Sequence, residues 1–193
     1  MKSINAEYFT EDDLNQLGIK RVGLNVKISK NCTIVGLENI SIGSNVRIDS
    51  NCVITATHGQ IVLGNYIHIG AQCAILADAG FIMDDFSGLS HGVKVFTGCD
   101  DFSGEFLFNP MVPEKLTNVK RAPVALNQYA LIGAGSVILP GVVISEGVAV
   151  GALSLVSKSL ESWAIYSGVP ARRIRERKKD MIELSNQLKG ELK

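Results

Sequence analysis

The chain has 193 residues, enough for one well-packed domain, and its 19 basic and 19 acidic residues cancel. This balance argues against nucleic acid or an anionic membrane surface as a partner. The opening residues, MKSINAEYFTEDD, lack the apolar core of a signal peptide, and no apolar run approaches the roughly 20 residues that span a bilayer. We therefore expect a cytoplasmic protein that does not bind membranes.

A short helix is predicted near the N-terminus. Thr10 precedes three acidic residues and then Leu14 and Leu17, which is the order of a helix N-cap followed by a first turn that favours negative charge. We expect residues 1–21 to form a helical cap that closes the first turn of the repeat that follows.

From Val22 onward, large apolar residues recur every six positions in groups of three. The groups are Val22, Ile28 and Ile34; Ile42, Ile48 and Ile54; Leu63, Ile69 and Ile75; and Met83, Leu89 and Val95. Group starts lie 20, 21 and 20 residues apart, so two or three extra residues follow the third hexapeptide of each group. This period belongs neither to a helix nor to a long alternating strand. It predicts short strands around a three-sided coil, with the extra residues at one corner.

The same period continues without extra residues in the second half of the chain. It runs through Leu126, Ile132, Ile138, Ile144, Val150 and Val156. Three sides of six residues make a parallel β-helix, in which each coil contacts only its neighbours. Because β-branched residues dominate and prefer strands, a helical repeat is a poor alternative. We predict an all-β fold, a parallel β-helix over residues 22–162.

The cysteines fit this repeat without a special role. Cys32, Cys52 and Cys73 fill the same place in three successive coils, the fourth after an inward residue. That place takes small residues, and a free cysteine packs as one. With Cys99 they form no CxxC or Cys/His zinc pattern, so we expect free thiols and no metal.

The pentapeptide DDFSG occurs at residues 84–88 and again at 100–104. In the first copy Ser87 falls at the small inward place, so this copy belongs to the coil wall. In the second copy Asp100 is the last residue of the hexapeptide Val95–Asp100, and the other four residues begin a stretch without repeat character at residues 101–125. A long insertion in a compact solenoid is more often functional than idle, so we predict a functional external loop.

The end of the chain, residues 163–193, is predicted to be a tail and a helix. After Pro170 the run ARRIRERKKDMIELSNQLK is charged, with Ile174, Met181, Leu184 and Leu188 at roughly helical spacing. We expect a helix from about Ile174 and a solvated basic face over residues 175–179.

The hexapeptides, the external loop and the sequence SGVPARRIR together resemble the left-handed β-helix acyltransferases that use acetyl-CoA. The stretches ISIGSNVRID, DDFSGEFLFNPMVPEKLTNV and WAIYSGVPARRIRERKKD are similar to nucleotide-sugar N-acetyltransferases of surface-polysaccharide (O-antigen lipopolysaccharide) synthesis, which acetylate dTDP-4-amino-4,6-dideoxyglucose. The resemblance covers about residues 22–175. It implies left-handed coiling and a homotrimer, with CoA and the nucleotide sugar in clefts between subunits.

The resemblance also places six residues near CoA. They are Ala134 and Ala152 at turns beside the pantetheine arm, Ser157 and Lys158 near the phosphates, and Arg172 and Arg175 toward the nucleotide end. Arginine suits this place because its planar fork binds phosphate through two hydrogen bonds.

Acyl transfer needs a positioned nucleophile, donors for the developing oxyanion and a proton acceptor. Many relatives use a histidine as base. His91 is the first candidate, because it lies at a turn two places after Leu89 and shortly before the external loop. His58 belongs to the corner with extra residues, two coils from the loop, and His68 falls at a place that commonly points to solvent; both are weaker candidates.

The galactoside-type relatives suggest a different group. Their catalytic histidine ends the hexapeptide that launches the loop, and here that residue is Asp100, followed by Asp101. A carboxylate can bind and orient a sugar ammonium group, whereas an alcohol needs a stronger activating base. Asp100 and Asp101 are therefore catalytic candidates, with turn capping as the simpler interpretation.

The loop supplies the candidate sugar contacts, Glu105 and Asn109. Phe102, Phe106 and Phe108 are expected to pack the loop against a neighbouring subunit or to line the cleft. Three alternatives stay open: a sugar O-acetyltransferase of the galactoside type, a zinc hydrolyase built on the same β-helix, and a non-catalytic β-helix scaffold.

Overall fold

The computed structural model describes residues 7–191, which form a parallel β-helix with three sheets. Sheet I contains β1 (Arg21–Val22), β4 (Ile40–Ile42), β7 (Ile61–Leu63), β10 (Phe81–Met83), β15 (Val124–Leu126) and β18 (Val143–Ile144). Sheet II contains β2 (Val26–Ile28), β5 (Val46–Ile48), β8 (Ile67–Ile69), β11 (Gly88–Leu89), β16 (Leu131–Ile132), β19 (Ala149–Val150), β21 (Ala164–Ser167) and β22 (Arg172–Glu176). Sheet III contains β3 (Thr33–Val35), β6 (Val53–Thr55), β9 (Ala74–Leu76), β12 (Lys94–Phe96), β17 (Val137–Ile138) and β20 (Leu155–Val156).

The predicted inward residues form the core in the predicted register. Ile48, for example, pairs with Ile28 in the coil before and with Ile69 in the coil after. All the predicted inward residues are buried except Val22 and Ile34, which are partly buried in the first coil because fewer coils cover them. The six-residue period is thus confirmed, although many sides of the early coils bury two apolar residues and not one, as Val46 and Ile48 do in β5.

The three edges of the prism are named by the sheets that they join. The I–II, II–III and III–I edges are the turns between successive strands. The extra residues of the early coils all lie at the III–I edge, for instance between β6 and β7 and between β9 and β10. The external loop leaves from the same edge after β12, which confirms the predicted corner. A hairpin of β13 (Gly98–Cys99) and β14 (Lys120–Arg121) closes the base of the loop, which ends at Pro123 because β15 begins at Val124.

The cysteine stack is confirmed. The thiols of Cys32, Cys52 and Cys73 donate to the backbone carbonyls of Asp49, Gly70 and Ser90, at 3.0, 3.2 and 3.1 Å. The hydrogen bond with Cys32 lowers the pKa of Cys52, but the hydrogen bond with Cys73 and burial outweigh it and raise that pKa to about 11. These thiols connect successive coils.

The N-terminal helix α1 (Glu11–Gln16) has the predicted cap. The Thr10 hydroxyl accepts from the N–H of Asp13, and the Asp13 carboxylate accepts from the N–H of Thr10 at 2.9 Å. Leu14 is buried and joins the core of the first coil. The part of the predicted cap before residue 7 lies outside the described residues.

The predicted start of the C-terminal helix is wrong. Ile174 lies in β22, which pairs antiparallel with β21, and α2 (Met181–Glu191) begins seven residues later. The spacing of apolar residues in the charged run is typical of a helix, but the first part of the run forms β22, which makes a hairpin with β21 and extends sheet II past residue 167. No helix within residues 7–191 has the length and apolar character needed to cross a bilayer.

The helix α2 covers a column of aromatic rings at the I–II edge. Tyr66, Phe86, Tyr129 and Trp163 follow one another up this edge, with ring centroids 4.8, 5.6 and 6.0 Å apart. The hydroxyl of Ser185 in α2 lies 2.5 Å from that of Tyr129. This contact anchors the helix to the solenoid.

Arg177 departs from the predicted solvated basic face. Its Nη1 atom donates to the carbonyls of Tyr129, Gly147 and Val148 at 2.8, 3.2 and 3.2 Å. It is half-buried, and burial lowers its pKa. The guanidinium therefore ties the tail to two coils at the I–II edge.

Candidate active site

Three candidate residues stack in one column at the II–III edge. His91, Ala134 and Ala152 each follow the inward residue of a sheet II strand by two places, and the strands β11, β16 and β19 pair in that order. All three are exposed. Within the described chain no acceptor receives the backbone N–H of Ala134 or Ala152. Such open N–H groups can bind the carbonyls of an extended ligand.

His91 closes the lower end of this column. Its Nδ1 atom accepts a hydrogen bond from the backbone N–H of Ala71, one coil below, at 3.0 Å. A nitrogen that accepts cannot carry the proton, so the neutral ring holds it on Nε2. In this arrangement Nε2 is a donor. The geometry therefore favours a donor role for His91 over the predicted role as base.

The predicted CoA residues divide between two edges. Arg172 pairs with Ser167 next to the turn after sheet II, which places its exposed side chain on the II–III edge beyond Ala152. Ser157 and Lys158 directly follow β20 and are exposed at the III–I edge. Arg175 pairs with Ile165 within sheet II, away from either edge.

An open cleft of about 710 Å³ lies at the III–I edge, between the coils and the external loop. This volume is within the usual range for ligand sites. Asp100 lines the cleft and is half-buried. Among residues 7–191 no donor contacts its carboxylate, which leaves both oxygens open to a cationic ligand.

The other loop candidates occupy different positions. Asn109 lines the same cleft, with its side-chain oxygen accepting from the N–H of Met111 at 2.9 Å. Asp101 accepts from the N–H of Ser103 at 3.0 Å and also from its hydroxyl, which is a turn contact. Glu105 is exposed and does not line the cleft. The geometry favours the capping interpretation for Asp101 and leaves Asn109 as the loop candidate that lines the same cleft as Asp100.

The aromatic residues of the loop do not line this cleft. Phe102 is 90% exposed, and Phe106 and Phe108 are also exposed. In one chain they have little to pack against. Packing against a neighbouring subunit stays a prediction.

Two cleft residues were not identified from the sequence. Asp78 lies with one oxygen 2.6 Å from Nδ1 of His58 and accepts at the other from Nε of Arg121 at 2.6 Å. The hydrogen bond from Arg121, aided by that from His58, lowers the pKa of Asp78. The repeat could have revealed Asp78, since this residue follows His58 by one coil. The position of Arg121 could not be predicted in this way, because it depends on where the external loop returns to the β-helix. No three His, Cys, Asp or Glu side chains of the described residues are grouped to hold a metal ion.

The two candidate regions lie on opposite edges of sheet III. The strand β12 and its flanking turn residues separate His91 from Asp100 by a distance on the order of 15 Å, at about 3.3 Å per residue. One chain therefore does not bring these residues together.

No family model matches the chain. It is 39% identical over 182 residues to the dTDP-4-amino-4,6-dideoxy-D-glucose acyltransferase of Escherichia coli, covering 94% of this chain and 95% of the relative. The structure of the present chain superposes with a TM-score of 0.93 on AntD, an N-acyltransferase from Bacillus cereus solved with dTDP and 3-hydroxybutyryl-CoA. The two sequences are 42% identical, and the match covers 98% of this chain and 99% of AntD. A maltose O-acetyltransferase from Clostridium difficile 630 shares the fold alone, with a TM-score of 0.55 and 24% identity.

Proposed function

The chain belongs to the family of CoA-dependent N-acyltransferases with a left-handed β-helix that act on dTDP-linked amino sugars, and we propose that its own reaction is acetyl transfer from acetyl-CoA to the amino group of dTDP-4-amino-4,6-dideoxyglucose. The observation that carries this proposal is 39% identity over nearly the whole length of the Escherichia coli acyltransferase. The product suits cytoplasmic synthesis of a surface polysaccharide such as O-antigen.

Asp100 is the group that binds the sugar ammonium in this proposal. Its carboxylate is open in the cleft and can accept hydrogen bonds from the ammonium group and take one of its protons. The free amine then attacks the thioester carbonyl carbon, the carbon–sulfur bond breaks and an amide forms. Of the two protons that the nitrogen loses, one ends on the CoA sulfur and one passes to solvent.

The AntD structures support a role for Asp100 together with Ser90. AntD was crystallised with substitutions at a serine and at an aspartate ten positions later, in complexes with dTDP ligands and CoA. In residues 7–191 of this chain a serine precedes an aspartate by ten positions only at Ser90 and Asp100. Ser90 lies beside His91 at the II–III edge, so this pair also spans sheet III.

A homotrimer would join the two edges. The outer face of sheet III carries apolar residues that are exposed or half-buried in one chain: Val35, Val53, Leu76, Phe96, Val137 and Leu155. With this face directed at a three-fold axis, the II–III edge of one subunit meets the III–I edge of the next in a closed heterologous ring. Ser90 and His91 then face Asp100 of the next subunit, and the column of Ala134 and Ala152 faces Lys158.

The test is a comparison of acceptors. Purified protein is incubated with acetyl-CoA and either dTDP-4-amino-4,6-dideoxyglucose or its 4-hydroxy counterpart, and free CoA thiol is measured. We expect thiol release and an amide product with the amino sugar. Release with the hydroxyl compound alone would establish the O-acetyltransferase alternative. A parallel series with 3-hydroxybutyryl-CoA identifies the acyl group that is preferred.

A further inference from the structure

Two basic side chains in the cleft, those of His58 and Arg121, are bound by the single carboxylate of Asp78. His58 comes from the turn after β6, Asp78 from the turn after β9 and Arg121 from the strand that leads back from the loop. Asp78 is 20 residues from His58 and 43 from Arg121, yet it bonds both at 2.6 Å, with a different oxygen for each. The cluster thus connects two coils and the loop.

This arrangement leaves nitrogen atoms of both side chains without a hydrogen bond to Asp78. Nε of Arg121 donates its hydrogen bond to Asp78. Nη1 of Arg121 lies 3.7 Å from Oε1 of Glu114, which is beyond hydrogen-bonding distance. Nε2 of His58 has no partner among the described residues. Both side chains are fixed at one nitrogen and keep donors for a ligand at another.

The position suits the diphosphate of a nucleotide sugar. Within the described chain His58 and Arg121 are the basic side chains that line this cleft, beside the carboxylates of Asp78, Asp100 and Glu114. Coils are about 4.8 Å apart, so His58 and Asp78 lie roughly 5–10 Å below the level of Asp100. A sugar whose amine reaches Asp100 would place its diphosphate on this pair. Phosphate oxygens, like carboxylate oxygens, match the planar donor fork of an arginine.

We propose that Asp78 is a positioning residue, which holds the side chains of His58 and Arg121 in place as paired hydrogen-bond donors for the diphosphate of the nucleotide-sugar substrate. This inference rests on the proposed function, since it assigns a part of that substrate to a part of the cleft. It makes Asp78 important for binding although its charge has the same sign as that of the ligand.

The negative charge of Asp78 provides a test, because loss of charge repulsion and loss of positioning change the binding of an anion in opposite directions. Replacing Asp78 with alanine removes a negative charge from the cleft, and through-space electrostatics alone would then tighten the binding of an anion. Loss of positioning has the opposite effect. We expect Asp78→Ala to bind dTDP about tenfold more weakly, to bind thymidine unchanged, and to raise KM for the nucleotide sugar about tenfold with kcat and KM for acetyl-CoA nearly constant.

Glu38→Ala is the matched control, because Glu38 is an exposed acid at the same edge, two coils before Asp78 and outside the cleft. Arg121→Met is the second variant and should lose dTDP affinity with the same selectivity over thymidine. Calorimetric titration with dTDP and thymidine, beside steady-state kinetics, gives all the readouts.

Unchanged or tighter dTDP binding by Asp78→Ala would overturn the inference, as would an equal loss of thymidine binding. Failure of the wild-type protein to bind dTDP or to acylate the amino sugar would instead overturn the proposed function. The two failures are therefore distinguishable in one set of measurements.

Discussion

The Nδ1 atom of His91 accepts a hydrogen bond from the backbone N–H of Ala71 at 3.0 Å, and this contact fixes the proton of the neutral ring on Nε2. A base needs an unprotonated nitrogen directed at the substrate, whereas this ring offers a donor. In the proposed trimer that donor lies beside the thioester, where oxyanion charge develops in the transition state.

The donor role predicts that glutamine can replace His91. We expect His91→Gln to keep kcat within about fivefold of wild type and His91→Phe to lose more than about tenfold, because the glutamine side chain keeps an N–H donor. Steady-state kinetics with acetyl-CoA and the amino sugar measure both. Equal losses in the two variants would return the role of base to His91.

The open carboxylate of Asp100 predicts a loss in turnover. Asp100→Asn should lower kcat more than about tenfold, since an amide neither takes the proton nor balances the ammonium charge, while the oligomer stays intact by light scattering. Asp101→Asn is the control and should change kcat much less, because Asp101 caps the turn at Ser103. Little loss in Asp100→Asn would instead point to substrate-assisted proton transfer.

The two-edge site predicts complementation between inactive subunits. Asp100→Ala and Ser90→Phe chains are unfolded together in equal amounts and refolded into mixed trimers. A site that takes one edge from each of two subunits is then intact in about one quarter of cases, so about 25% of wild-type activity should return. The separately refolded variants are the baseline. Absence of any gain would place both edges of a site in one subunit, or exclude the trimer.

The aromatic column predicts a severe effect of one methyl group. A Cβ atom on Gly147 would lie 2.5 Å from the ring of Trp163, and its φ of +68° already disfavours other residues. Gly147→Ala should lower the free energy of unfolding by more than about 2 kcal/mol, through strain and overpacking together.

Gly104→Ala separates the two causes. Gly104 has a φ of +85°, but a Cβ atom there has nothing within 4 Å. Gly104→Ala should lower the free energy of unfolding by about 1 kcal/mol, which is the cost of backbone strain alone. Chemical denaturation of both variants gives the comparison, and equal losses would show that Trp163 moves aside freely.

An ion cluster at the start of sheet II predicts a pH-dependent contribution to stability. Asp49 accepts from Arg47 Nε and lies close to His68 Nε2, each at 2.7 Å. Burial raises its pKa, but the hydrogen bonds from His68 and Arg47 outweigh burial, and the net pKa lies below the model-peptide value of 3.8. A depressed pKa stabilises the fold above the unfolded value, and this contribution is lost as the pH falls through the folded value.

The unfolding temperature of wild type should therefore exceed that of Asp49→Asn at about pH 6, and the gap should narrow as the pH falls below 3.8. Glu38→Gln, an exposed acid in the first coil, is the control and should show no such gap. A gap that stays constant over this range would mean that the asparagine acts by packing and not by charge.

The repeat made the core predictable, whereas the site depends on contacts that no period encodes. Ile48 and Ile132 could be placed inward because a large apolar residue recurs every six positions, once on each side of a coil. Arg121 could not be placed against Asp78, since the loop has no period that says where it returns. Ile174 was misassigned because a β-hairpin and a helix both accept its spacing in a charged run.

Every departure from the six-residue rule falls on the III–I edge, from the turns that contain His58 and Asp78 to the loop that begins after Asp100. The other two edges keep the pitch, so residues can be added or removed at this one without displacing any inward side chain. The III–I edge, which carries the candidate sugar contacts, can therefore change in length and sequence while the core of the β-helix keeps its register. A different acceptor sugar could be accommodated by changes at this edge alone.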